Sequence, residues 1–337
     1  MRYSLLSRFR GALLGAAIGE IWGAYGESWQ QGVKEPSGLP SSWGRLVVRG
    51  TEGLIRQGKL DLADWGEPSL GKRPLTESGK AYEEASFSGY ASPNTDETYT
   101  KYDHKSAAGS GIVATVPVAL FFHEDEVKLR QNLQQVADVW QDDSVLKDGT
   151  LAIGYAIALA LKERLDPATL IPEILIYLDV ETPLVHQLRQ VQTLLEEGAG
   201  LEMTLETLMP RHSAPRPNVA IALAFYCFLS TLEDLRLSVV RAARCPQPEI
   251  TIALTGALSG AYNSIAGIPV GWRLALGKQK DENSPLATLW GLHSETELLR
   301  LAARLLAAWS GVCDAEKFLI DTSLVSAVAA PKVIKPR

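Results

Sequence analysis

The sequence predicts an all-α fold, a single-domain orthogonal multi-helix bundle. Three observations carry that expectation. Apolar residues recur at three-to-four spacing through most of the chain, the signature of helices with one buried face. No run of alternating residues ends in a hairpin turn, so strands are few. No Pro/Ser-rich linker separates the helical stretches, which argues for one domain in a chain of 337 residues.

The elements follow in order. The spacing predicts helices near Leu5–Tyr25, Ser42–Gln57, Ser110–Phe122, Val127–Gln141, Gly149–Arg164 and Ala168–Tyr177. Further helices are expected near Pro183–Glu197, Asn218–Ser230, Leu232–Arg244, Glu249–Ile265 and Ser294–Trp309. Asp166-Pro167 reads as a helix stop and restart, and Leu232-Glu233-Asp234 as another short junction. Between Asp64 and Lys105 the chain turns rich in Gly, Pro, Ser, Thr and Tyr and loses its periodicity, so a long polar loop is expected there. The helical domain is therefore placed at residues 1–312, with that loop near 64–105 and a tail at 313–337 that is expected to be mobile.

Glycine marks the first helix. Gly11, Gly15, Gly19 and Gly23 recur every four residues, and each costs about 1 kcal/mol relative to alanine inside a helix. Close approach of a second backbone is the usual compensation. Ala253, Gly256, Ala257, Gly260 and Ala261 offer a matching small face, so the two helices are expected to cross closely at the centre of the domain.

Composition narrows the function. The chain is 46% hydrophobic and 21% charged, with a formal charge of -6. That is an ordinary globular balance, and the mild negative charge argues against nucleic acid as the main partner. Three widely spaced cysteines form neither a disulfide framework nor a zinc pattern. No apolar run reaches the roughly 18 residues of a membrane span, and Glu20 interrupts the N-terminal apolar stretch where a signal peptide would need a clean cleavage site. The expectation is a cytoplasmic chain without a membrane partner. The five histidines are scattered and are read as surface or capping residues. Asp142-Asp143 with Asp148 is read as a solvated acidic helix junction, and Arg211-His212 with Arg216 as a basic inter-helix loop.

Several blocks stand in order between Arg8 and Trp309. They are Arg8-Phe9-Arg10-Gly11-Ala12-Leu13-Leu14-Gly15, then Gly19-Glu20-Ile21-Trp22-Gly23-Ala24-Tyr25-Gly26-Glu27, and Pro117-Val118-Ala119-Leu120-Phe121-Phe122-His123. Later come Ala222-Leu223-Ala224-Phe225-Tyr226-Cys227-Phe228-Leu229, Thr255-Gly256-Ala257-Leu258-Ser259-Gly260-Ala261-Tyr262 and Gly267-Ile268-Pro269-Val270-Gly271-Trp272. In this order they resemble the ADP-ribosylglycohydrolase family. The resemblance implies an all-helical fold that cleaves an ADP-ribosyl bond with two Mg²⁺ ions. Two dications about 4 Å apart repel by ~16 kcal/mol at an effective dielectric of ~20, so several carboxylates must surround them.

The family draws these ligands from a Thr-Asp-Asp-Thr run early, an Asp-Thr-Asp-Thr run late and an N-terminal glutamate. Glu27 matches the glutamate, and Glu20 stands where the family has an aspartate. Alignment back from Gly256 puts Gln247-Pro248-Glu249-Ile250 at the late run, leaving Glu249 as its one carboxylate. Ser41-Ser42-Trp43-Gly44 falls at the early run, which then has none. Thr95-Asp96-Glu97-Thr98 reads like the missing run but lies in the polar loop. Trp22, Tyr25, Trp29 and Trp43 cluster near the implied cleft, either to stack a ring of a ligand or to fill the space that metals leave.

The leading expectation is a pseudoenzyme that keeps the scaffold, needs no cofactor, and binds an ADP-ribosyl or nucleotide-like ligand or a protein partner. The alternative is an active hydrolase that removes ADP-ribose from protein or small-molecule substrates, with Mg²⁺ held by Glu27, Glu249, Asp96 and Glu97. No catalytic residue is assigned on either reading.

Overall fold

The computed structural model describes residues 3–31, 43–65, 111–139, 144–210, 216–278 and 284–311. The described residues form helices α1 (Leu5–Tyr25), α2 (Trp43–Gln57), α3 (Gly111–Ala114), α4 (Val116–Phe122), α5 (Glu126–Val139) and α6 (Ser144–Leu161). They continue with α7 (Leu170–Leu178), α8 (Pro183–Glu196), α9 (Leu201–Leu208), α10 (Pro217–Leu229) and α11 (Leu235–Ala242). The last are α12 (Pro248–Asn263), α13 (Val270–Lys278), α14 (Pro285–Trp290) and α15 (Glu295–Ser310). No strand occurs among the described residues, in keeping with the all-α expectation. None of their helices is long and apolar enough to cross a membrane.

Two helices that are apolar all round occupy the centre. α1 starts on Ser4, whose hydroxyl accepts from the Ser7 N–H at 3.2 Å, and buries most of its length. It runs antiparallel to α12, and the glycines set the contact. A β-carbon on Gly11 would lie 2.2 Å from the Gly260 carbonyl oxygen, and one on Gly15 would lie 2.1 Å from that of Gly256. At Gly19 it would meet the Cα of Ala253 at 2.5 Å, and at Gly23 that of Glu249 at 2.4 Å. The small face is thus the one expected, with Glu249 taking the place nearest the C-terminus of α1.

Side-chain bonds fix the polarity of the helices around this pair. Arg8 donates to the Ala160 carbonyl at 2.7 Å, so the C-terminus of α6 meets the N-terminus of α1. Thr255 donates to the Ala224 carbonyl at 3.5 Å, and Asn263 to that of Leu232 at 2.7 Å, so α10 runs parallel to α12. The N-termini of α6, α10 and α12 therefore gather at the pole where α1 ends.

The structure adds to the expected helices at particular places. Residues 111–122 are not one helix, because the chain breaks at Thr115 between α3 and α4, with Pro117 in the first turn of α4. α9, α13 and α14 are additional. Each is under ten residues, too short for periodicity to separate it from a loop, although Ser284 caps α14 through the Ala287 N–H at 3.1 Å. The tail at 313–337 and nearly all of the 64–105 segment lie outside the described residues.

His123 corrects the expectation of surface histidines. It is buried in the turn after α4, edge-on to Phe9 at 5.8 Å and 4.9 Å from the Trp309 ring. Its Nδ1 lies 2.7 Å from the Leu120 carbonyl oxygen, which can only accept, so Nδ1 carries the proton. Burial pushes the imidazole down to about 4, against the weaker upward pull of the Leu120 carbonyl and the exposed Glu124. Below its ordinary value of 6.5 the unfolded chain takes up a proton that the folded one refuses. Stability from this group is full above about pH 6.5 and falls as pH drops toward 4, by about 3 kcal/mol at most. His123→Gln is expected to flatten that part of the stability–pH profile in urea titrations between pH 7 and 4. An unchanged slope would contradict it.

Candidate functional site

The pole where α1 ends carries the residues that the sequence singled out. Gly23 packs on the backbone of Glu249, which sits half-buried in the first turn of α12. The chain turns at Gly26, with φ at 66°, into a short 3-10 helix, Glu27–Gln31, that leaves Glu27 exposed. The fold thus brings Glu27 and Glu249 to one end of the domain. Glu20 is different in kind. It is 5% exposed, and its carboxylate accepts from the Gly44 N–H at 3.4 Å, in the first turn of α2. There the unsatisfied amides of the helix start favour a negative charge.

Three of the four aromatic residues are covered. Trp22, Tyr25 and Trp29 are all buried, and Trp22 stands edge-on to Trp272 of α13 with centroids 5.1 Å apart. Burial pushes the Tyr25 phenol up, against the pull of a hydrogen bond with Thr288 of α14. Trp43, at the start of α2, is half-buried. The faces of the first three rings are therefore covered by protein, which leaves Trp43 as the one of the four with exposed surface.

Asp148 departs from the expected solvated junction. It is not solvated: it is buried in α6, and its Oδ2 has no hydrogen-bond partner. Burial raises its carboxyl above the usual range, against the pull of the Thr182 hydroxyl. Thr150, one turn-fraction further along α6, is also buried with an unpartnered hydroxyl. Composition could show only an acidic patch here, because the residues around it are distant in sequence: Thr182 ahead of α8 reaches Asp148, and Ile112 and Ile221 close on the adjacent Gly149. Asp142, Asp143, Arg211 and His212 lie outside the described residues, as do Asp96 and Glu97.

Two helix starts at this pole lack a side-chain cap. α10 opens on Arg216 and Pro217, and α12 on Gln247 and Pro248, and neither Arg216 nor Gln247 caps through its side chain. Gln247 adopts a left-handed conformation, φ 53°, which swings the chain sharply into α12. The backbone amides of Asn218 and Glu249 follow the two prolines and point along their helix axes, the arrangement that binds anions.

The ADP-ribosylglycohydrolase family model matches residues 1–315. The chain belongs to that family. A comparison with curated proteins found no match.

The ADP-ribosylglycohydrolase reaction implies two Mg²⁺ ions, and the fit of this site to them can be tested on its donors. At the late run only Glu249 offers a carboxylate. Thr251, the hydroxyl nearest to it, is turned back toward the Pro246 and Gln247 carbonyls at 3.3 and 3.2 Å. Among the described residues no group of three or more His, Cys, Asp or Glu side chains stands close enough to hold a metal. The described donors do not fit a two-ion centre.

Proposed function

We propose that this ADP-ribosylglycohydrolase-family chain is a pseudoenzyme whose α1–α12 pole binds an ADP-ribosyl or nucleotide-like ligand without metal. One observation carries the reading: the first turn of α12 holds a single carboxylate, Glu249, beside helix starts whose side-chain caps are missing. A site of that kind loses the charge needed for two dications but gains amide donors for a pyrophosphate. Arg216, exposed at the start of α10, adds a cation to the same rim. We also infer a reducing, cytoplasmic setting from the sparse and widely spaced cysteines.

Calorimetry with ADP-ribose tests the proposal through the sign of one variant. ADP-ribose should give saturable heat that EDTA leaves unchanged. Glu249→Gln removes a negative charge beside an anion and should tighten binding about threefold. A metal-assembled hydrolase site would respond in the opposite direction, losing ADP-ribose affinity in both EDTA and the variant. No heat at all would reject the ligand and leave a protein partner as the reading.

A further inference from the structure

A cavity lies on the other side of the domain from the Glu249 pole. It has a volume of about 510 Å³ and sits between the start of α7, the end of α8, the end of α10 and Arg241 of α11. Because α10 runs parallel to α12, its C-terminal residues Tyr226 and Ser230 are far along the helix from the Glu249 pole. The turn Gly198-Ala199-Gly200 between α8 and α9 makes the space, since its small residues place no side-chain bulk there. Gly198 turns at φ 65°, which a larger residue would adopt only under strain. Tyr226 secures this wall by donating its hydroxyl to the Ala199 carbonyl at 2.6 Å.

The polar groups in the cavity are unevenly matched. Arg241 is half-buried, and one of its N–H groups goes to the Ser230 hydroxyl oxygen at 2.7 Å. No other hydrogen bond of the Arg241 guanidinium, and none donated by the Ser230 O–H, occurs among the described residues. Glu196 lines the same cavity but makes no ion pair with Arg241; its carboxylate accepts from Gln192 at 2.8 Å and faces solvent. Gln192 adds a further polar side chain, and Ile171, Leu195 and Leu229 form the apolar part of the wall. A guanidinium and a hydroxyl with open donors beside that apolar patch form a head-and-body site.

The geometry points to a binding site for a small organic anion, whose phosphate or carboxylate head meets Arg241 and Ser230 and whose apolar body lies on Ile171, Leu195 and Leu229. The volume suits a body of one or two rings. The planar guanidinium favours a head that accepts two parallel hydrogen bonds.

The test titrates the full-length chain by calorimetry with phenyl phosphate and benzoate, using inorganic phosphate and acetate as heads without a body. At least one aryl probe should saturate with a Kd at or below about 1 mM, with its bare head at least tenfold weaker. Arg241→Gln should weaken that probe at least tenfold. So should Ala168→Trp, which fills the mouth from an exposed position and covers the case in which Arg241→Gln does not fold. The proposal fails if neither aryl probe saturates by about 10 mM. It also fails if either folded variant binds as well as the parent, or if the bare heads bind equally tightly.

Discussion

Gly15→Ala is expected to destabilise the protein by about 3 kcal/mol, the upper end of the usual cost of overpacking. Helix propensity alone predicts the reverse, since alanine gains about 1 kcal/mol over glycine in a helix interior. The contact decides between them. The added methyl would lie 2.1 Å from the carbonyl oxygen of Gly256, and the reciprocal methyl on Gly256 would lie 2.2 Å from that of Gly15. Both obstacles are backbone, so no rotamer change relieves them, and the helices must move apart along a buried seam. Gly154→Ala is the control: there the obstacle is the Leu133 side chain, which can rotate. Thermal melts should show Gly15→Ala falling by about 6 °C or more, with Gly154→Ala clearly milder. Equal melting temperatures for Gly15→Ala and the parent would contradict the seam.

Arg8→Met should cost about 3 kcal/mol, read from urea midpoints. The Arg8 guanidinium is buried and bonds to the Ala160 carbonyl and to Glu163 Oε1, each at 2.7 Å. Longer contacts at 3.5 Å reach the carbonyls of Ala261 and Tyr262. One cation thus serves the C-terminal carbonyls of α6 and α12 together, where the helix dipoles favour positive charge. Methionine keeps the volume and loses every bond, leaving a buried carbonyl and a partly buried carboxylate without Arg8. Because Glu163 is one-third exposed, water recovers part of that loss, which keeps the figure near the low end for a broken buried pair. A double variant that also removes Glu163 should be no worse than the single one. A loss under about 1 kcal/mol for Arg8→Met would show that the interaction is superficial.

The central seam was legible because glycine spacing is a one-dimensional record of helix contact. Four glycines at one interval could satisfy only a second small face, and Gly256 and Gly260 were its evident centre. The same seam sets the register that brings Glu27 and Glu249 to one pole, so that part of the candidate site was also readable. The environments of His123 and Asp148 were not, because a residue's own neighbours in sequence do not reveal which helix will cover it. His123 is enclosed by Phe9 and Trp309, each more than a hundred residues away along the chain, and the sequence between carries no mark of that meeting. The aromatic cluster was legible as a cluster, but its role needed the position of Trp272 on a helix too short to stand out. The cavity at Arg241 was silent in the sequence, since it arises from small residues at a turn and from the packing of four separate helices.

Counting ions decides whether this family scaffold lacks a two-ion centre. Mn²⁺ binding to the full-length chain, followed by its paramagnetic resonance signal with and without saturating ADP-ribose, gives that count. No tight ion is expected in either condition. Two tightly held ions per chain, lost together in Glu27→Gln and Glu249→Gln, would contradict it and make the chain a metal-dependent hydrolase.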